Sequence, residues 1–200
     1  MLGDLRIDKD SLKFPQIETE RLILRMLEWD EAEQFLNFMG KNRDHFAPFA
    51  PPEPEDFYTV EYWQKRIVDS HAQYLAGTAL RLAIFTRDGQ TIVGDTNYTQ
   101  IYRGPFNCCS LGYKIDHEFQ GKGMMREALE AGIEYVFSHL RLHRIQANYL
   151  LNNDRSAALL NRLGFRIEGE AKNYLFINGA WRDHVLTSKT NPSPVPPEVS

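Results

Sequence analysis

The sequence predicts a single α/β (α+β) domain, with a central mixed, mostly antiparallel sheet flanked by about four helices. Three observations predict it. Runs with strand character and runs with helical spacing alternate along the chain. Two strand pairs close on the turn dipeptides Asp88-Gly89 and Asn178-Gly179. The 200 residues, 42% hydrophobic and 25% charged, suit one domain with a substantial core.

The elements follow in order. "RLILRML" (21–27) reads as a strand. Asp30 is placed to cap a helix running to about Gly40, with Ala32, Phe35, Leu36 and Met39 on one face. "FAPFAPPEPED" (46–56) is too rich in proline for a helix interior and reads as a loop. A longer helix is expected over roughly 56–75. "LRLAIFT" (80–86) and "TIVGDTNYTQIYRG" (91–104) form a hairpin around Asp88-Gly89, and "CCSLGYKI" (108–115) is a further strand. In the helix that follows, Met125, Ala128, Leu129, Gly132, Ile133, Val136, Phe137 and Leu140 recur at spacings of three and four and are expected to be buried. "RIQANYL" (144–150) is a strand. Asn153 or Asp154 can cap the short helix "RSAALLNRL", which Gly164 stops. "FRIEGEAKNYLFI" and "AWRDHVLTS" close the domain as a hairpin around Asn178-Gly179. The domain is expected to span 1–190. The tail "NPSPVPPEVS" (191–200), with four prolines, reads as an irregular terminus.

Several function classes are excluded or demoted. No apolar run approaches the ~20 residues of a membrane span. The start, "MLGDLRIDKDSLKF", has charges where a signal peptide needs a continuous apolar segment, so a cytoplasmic location is expected. Cys108 and Cys109 are adjacent, and neighbours in a strand point to opposite faces, so they are expected to be apolar fillers rather than a disulfide. A net charge of −4 argues against nonspecific nucleic-acid binding. The six histidines show no metal-ligand spacing with cysteines or acids, and no metal is expected.

"EFQGKGMM" (118–125) places two glycines and a lysine between a strand and a helix. Such a turn presents unpaired backbone N–H groups at the positive end of the helix, which suits an anionic phosphate. A tight connection with no ligand is the alternative. Nucleotide motifs fit poorly. A P-loop needs a serine or threonine after its lysine, and a dinucleotide fingerprint needs a third glycine where Arg126 stands. The flanking strands also read as antiparallel.

A third pattern, Q/R-x-x-G-x-G/A, is followed by Gln120, Gly121, Lys122, Gly123 and Met124, with Met125 in place of the last small residue. Downstream, "NNDRSAALLNRLGF" (152–165) has N-x-x-S and a helix ending in Gly-Phe. With these motifs and this element order, the chain resembles the GCN5-related N-acetyltransferases. "IETERLILR" (17–25), "NRDHFAPFAP" (42–51), "GYKIDHEFQGKGMMREAL" (112–129) and "HRIQANYLLNNDRSAALLNRLGF" (143–165) are similar to the RimJ/RimL branch, and to its RimJ type most, over nearly residues 10–190. Members of that type acetylate the N-terminal alanine of a small-subunit ribosomal protein.

The resemblance implies acetyl-CoA as cosubstrate. Its pyrophosphate would rest on Gln120, Gly121, Lys122, Gly123, Met124 and Met125. Its pantetheine arm would pair with Tyr113, Lys114 and Ile115 and bond to Asn153, whose other reading is a helix cap. The tyrosine acid of many family members is replaced by Leu160. Ser156 takes the position of a serine thought to serve RimL-like relatives, its other reading being support of the first helical turn. The glutamate base of those relatives is replaced by Leu175. A water relay is then expected, with Tyr174 a weaker candidate whose other reading is packing. Asp183 and His184 are expected at an edge-strand surface, with orientation of a peptide amine as the alternative. Phe46 and Phe49 would wall the acceptor pocket or plug the helices onto the sheet.

The reaction is amine attack on a thioester. An N-terminal amine has a pKa near ~8 against ~10.4 for lysine, so roughly a tenth is neutral at pH 7. The expected acceptor is a ribosomal protein N-terminus. No direct nucleic-acid binding and no membrane are expected, and the chain is read as a monomer or weak dimer. The alternatives are a small-molecule amine on the same fold, or a non-catalytic acyl-CoA-binding or ribosome-assembly module.

Overall fold

A computed structural model describes residues 14–194 and 196. The readings of residues 1–13, and of the tail at 195 and 197–200, lie outside these residues. Eight strands form one sheet: β1 (Gln16–Glu18), β2 (Leu22–Arg25), β3 (Leu80–Thr86), β4 (Ile92–Tyr102), β5 (Cys108–Ile115), β6 (Arg144–Leu150), β7 (Arg166–Ile177) and β8 (Ala180–Thr190). Their order is β1-β2-β3-β4-β5-β6-β8-β7. The helices are α1 (Ala32–Lys41), α2 (Arg43–Phe46), α3 (Val60–Leu75), α4 (Met124–Ser138) and α5 (Asp154–Arg162).

Alternation along the strands sorts side chains to two cores. On one face Leu80, Leu82 and Ile84 of β3 join Leu129, Ile133 and Val136 of α4. On the other, Ala83 and Phe85 of β3 meet Phe35, Phe38 and Met39 of α1, with Phe46 and Phe57. The buried face of α4 is the expected one, Met125 through Phe137, while Leu140 lies just past the helix end and only partly inside. Gly132 is needed there because a Cβ would come 2.4 Å from the hydroxyl of Tyr98, which is wholly buried beneath the helix.

Some expectations differ. The first strand is shorter, and β1 precedes it as an added edge. A 3-10 turn at Trp29–Glu31 carries the chain into α1, whose fourth buried residue is Phe38 in place of Leu36. Within the proline-rich segment the chain makes α2 and a 3-10 turn at Ala47–Phe49, and α3 begins only at Val60, capped by Thr59, whose hydroxyl accepts from Tyr62 N. The strands around the glycine turn are parallel: β5, α4 and β6 form one crossover. Cys108 and Cys109 are free and buried, and burial pushes the Cys109 thiol up to about 12. Asn191 is buried, its amide nitrogen donating to the carbonyls of Phe137 and Leu142, so the ordered packing continues past β8.

Candidate functional site

The site begins with a failure of pairing. β5 and β6 are in register only at Cys108–Arg144, Cys109–Ile145 and Ser110–Gln146. Beyond Ser110 the two diverge, because β6 stays with β8 through Leu150 while β5 stays with β4 through Ile115. The open wedge leaves one side of β5 without a strand partner and becomes a cleft of about 1020 Å3. Its walls are Tyr113, Lys114 and Ile115 of β5, the glycine turn, the first turn of α4, Asn152 and Asn153, and one side of α5 from Asp154 to Arg162.

The glycine turn is built for exposed amides. Gly121 and Gly123 sit at φ +72° and +75°, where a side chain is strained but nothing else crowds a Cβ closely. Gly123 is the N-cap of α4 and offers no side-chain cap, and the first helical bond runs from Glu127 N to Gly123 O. The N–H groups of Met124, Met125 and Arg126 therefore open the helix without intrahelical partners. The turn is braced from below. Arg21 donates to the Lys122 carbonyl at 3.0 Å and to Glu127 at 2.7 Å, and Thr19 donates to Glu127 at 2.6 Å. Burial alone would raise the Glu127 pKa, but these donors hold it below the usual carboxylate range.

The cleft rim is cationic. Arg126, Arg155 and Arg162 line it with Lys114, against the single carboxylate of Asp154. Gln120 spans it: its amide nitrogen donates to His45 Nε2 at 2.6 Å, and its carbonyl accepts from Arg155. Burial, with the neighbouring His117 and Arg155, lowers the His45 pKa, which suits an acceptor nitrogen. Lys122, expected beside the phosphate, does not line the cleft, and its ammonium lies 5.1 Å from the centre of the Phe119 ring.

The cleft thus gathers Tyr113, Lys114, Ile115, Gln120, Gly121, Gly123, Met124, Met125, Asn153 and Ser156. Asn153 caps α5 by accepting from Ser156 N at 3.1 Å. The Tyr113 hydroxyl is buried without a hydrogen bond of ordinary geometry. Burial pushes its pKa up to about 12, tempered by the nearby Ser156 hydroxyl. Tyr174 is not brought here. It lies on β7, accepts from Asn148 Nδ2 at 3.1 Å, and packs on His184. A break in register between Ala171 and Leu175, with Asn173 at φ +49° held by Asp183, sets its position. His184 is not at a surface: β8 lies between β6 and β7, and His184 is buried. Phe46 and Phe49 wall this cleft.

Arg126, Arg155 and Arg162 were missed in the sequence. Arg155 and Arg162, seven apart on a helix that also carries the N-x-x-S serine, were the available signal.

A long cleft with free amides at one end, a cationic rim and an unpaired strand edge suits an elongated, multiply phosphorylated ligand with an amide-bearing arm. Among the described residues no group of three or more His, Cys, Asp or Glu side chains is placed to hold a metal ion. Comparison with known proteins agrees with that chemistry. The acetyltransferase (GNAT) domain model matches residues 21–166. The [ribosomal protein uS5]-alanine N-acetyltransferase of Escherichia coli (strain K12) is 40% identical over 181 residues, which are 90% of this chain and 93% of that protein. The crystal structure of the ribosomal-protein-S5-alanine acetyltransferase from Vibrio fischeri superposes with a TM-score of 0.87 at 38% identity, covering 91% of this chain and 100% of that one. Mycobacterium smegmatis RimJ in complex with CoA-disulfide gives 0.82 at 27% identity, covering 90% of each chain.

Proposed function

The chain belongs to the acetyltransferase (GNAT) domain family and is an acetyl-CoA-dependent N-acetyltransferase, and on that premise we propose that its acceptor is the N-terminal amine, alanine, of a ribosomal protein in the cytoplasm. The observation that carries this reading is the 40% identity to the uS5-alanine enzyme along 90% of the chain.

The residues then take these roles. The amides of 123–126 and the rim arginines hold the phosphates. The open edge of β5 at Tyr113–Ile115 pairs with the pantetheine arm, and Asn153 bonds to it while capping α5. One free N–H of the diverging strand polarises the thioester carbonyl, where charge develops during attack. The neutral amine forms a C–N bond to the carbonyl carbon, the C–S bond breaks, and the electron pair leaves on sulfur. The proton lost from nitrogen reaches sulfur by way of the Ser156 hydroxyl. Placing both substrates together supplies most of the acceleration.

The test is thiol release from acetyl-CoA with five acceptors. They are an Ala-starting ribosomal-protein peptide, its Ser-starting form, its N-terminally blocked form, an internal-lysine peptide, and spermidine. Turnover confined to the free termini is expected. Turnover of spermidine alone would overturn the acceptor, and no turnover of any acceptor would favour a binding module.

A further inference from the structure

A second cavity, of about 290 Å3, lies on the opposite face of the sheet, between α1, α3 and the middle of β3 to β5. Lys114 lines both cavities, so β5 is their common wall. The register of the sheet explains its floor. Ala83 pairs with Asp95 and Asp95 with Lys114, while Arg81 pairs with Asn97 and Asn97 with Gly112. Cross-strand partners share a face, so Arg81, Asp95, Asn97 and Lys114 line up beneath the aromatic wall of Phe35, Phe57, Tyr62 and Trp63.

Around this floor several polar side chains are only partly used: Arg81 Nη2 donates to Gln73 at 3.1 Å, and Asp95 interacts with Asn97 and the Lys114 backbone, but one atom of each is left over. Asp95 is buried, and its Oδ1 has no hydrogen-bond partner. Arg81 Nε and Trp63 Nε1 are also buried and unpartnered. Leaving one such group unsatisfied costs about 1–3 kcal/mol, so three around one cavity point to a ligand that satisfies them. They comprise one acceptor of charge and two N–H donors. A chain end matches that set: an amine for the carboxylate and backbone carbonyls for the donors.

We propose that this pocket takes the amino end of the acceptor, with Asp95 holding its nitrogen and Arg81 and Trp63 bonding to its first carbonyls. The inference rests on the acetyltransfer reading and adds the residues that select the acceptor. Three cations, Arg66, Arg81 and Lys114, line the pocket against the one carboxylate. A single amine is accepted beside Asp95, whereas each further positive charge of a polyamine meets a like charge. Contact with Asp95 favours the charged form of the entering amine and the three cations oppose it, so this contact selects the chain end. The neutral, attacking form arises when the nitrogen leaves Asp95 for the thioester in the neighbouring cleft. Burial raises the Asp95 pKa and Lys114 opposes that rise, so its charge is weakly held until a cation arrives.

The experiment is steady-state kinetics of Asp95→Asn with the Ala-starting peptide, alongside calorimetry of acetyl-CoA binding. Expected is a fall of at least tenfold in kcat/KM for the peptide, with the acetyl-CoA Kd within twofold of the unmodified protein. Ser70→Trp supplies a second route that leaves Asp95 in place. Ser70 lines the cavity from α3 and is only partly buried, and filling the space is expected to cost a similar factor. Peptide kcat/KM within twofold of the unmodified protein in both variants would overturn the proposal and leave the acetyltransfer reading standing. Failure of the unmodified protein to turn over any free terminus would instead remove the acceptor reading itself.

Discussion

Replacing Gly123 with alanine puts a Cβ on a residue at φ +75°, ψ −2°. The new carbon has room, since its nearest neighbour is Arg21 Nη2 at 3.6 Å. The cost is therefore backbone strain, about 1–2 kcal/mol for an L-residue in this region. Two outcomes are open to the turn. It can hold its shape, in which case the strain appears as lost stability, about 2–4 °C in Tm per kcal/mol for a protein of this size. Or the free protein relaxes, and binding must restore the strain, which weakens acetyl-CoA by about fivefold to thirtyfold. If an amide is lost from the phosphate altogether, a charge-assisted bond of about 1.5–3 kcal/mol goes with it, more than tenfold in Kd. Gly77→Ala is the control. Gly77 has φ +68° and equal room, but sits after α3, outside the cleft. Calorimetry with acetyl-CoA and a thermal melt on both variants separate strain from binding. Gly123→Ala is expected to weaken acetyl-CoA at least fivefold and Gly77→Ala to leave it unchanged. Equal Kd values in the two variants, with no loss of Tm in Gly123→Ala, would show that the turn relaxes without consequence for binding and would refute the cradle.

Ser156→Ala is expected to lower kcat several-fold with little change in acetyl-CoA affinity, and an unchanged kcat would remove the hydroxyl from the reaction. Gly132→Ala, which drives a Cβ to 2.4 Å from the Tyr98 hydroxyl, is expected to cost about 1–3 kcal/mol in denaturant melts, and an unchanged midpoint would show that Tyr98 moves freely. Glu127→Gln should be less stable than the unmodified chain at neutral pH. The folded pKa of Glu127 is lowered, so its contribution is full above the unfolded value of about 4.3 and fades as pH falls through the folded one. The difference between the two proteins should close in acid, and a gap independent of pH would contradict the Arg21 and Thr19 contacts.

What was legible in the sequence was local. The face of α4 was readable residue by residue, because one helix buries one side and its spacing records which. The glycine turn and Asn153 were readable because positive φ and helix capping restrict residue type. Non-local pairing left no such mark. Nothing in β5 or β6 alone says that they run parallel for three pairs and then part, yet that parting makes the cleft. The placement of β8 inside the sheet, which buries His184, follows from strand order rather than from either strand's composition. Short polar elements escaped for a related reason: β1 has three residues and α2 four, too few to show a period. Nothing in the sequence of β4 singles out Asp95, and only its neighbours across two strands make it the floor of a pocket.

Leu160 contributes no acid to this cleft. The position where many family members carry a tyrosine is 2% exposed and belongs to the core beneath α5. The hydroxyls that line the cleft are Tyr113 and Ser156. A thiol has a pKa near ~8.5, and burial pushes the Tyr113 hydroxyl up to about 12, so Tyr113 is the weaker acid and a poor proton source for the leaving sulfur. A serine hydroxyl is a weaker acid still. Neither group can be a net donor at neutral pH. Ser156 can only relay, releasing one proton to sulfur as it receives another from the nitrogen. The gain from relaying is bounded as well. A thiolate released at pH 7 lies about 1.5 units below its pKa, about 2 kcal/mol, so protonating it helps by at most about thirtyfold. Loss of the Ser156 hydroxyl should therefore fall between several-fold and about thirtyfold in kcat. A loss beyond a hundredfold would mean that the hydroxyl positions the thioester, and transient kinetics with a poorer leaving thiol would then show no added sensitivity to the substitution.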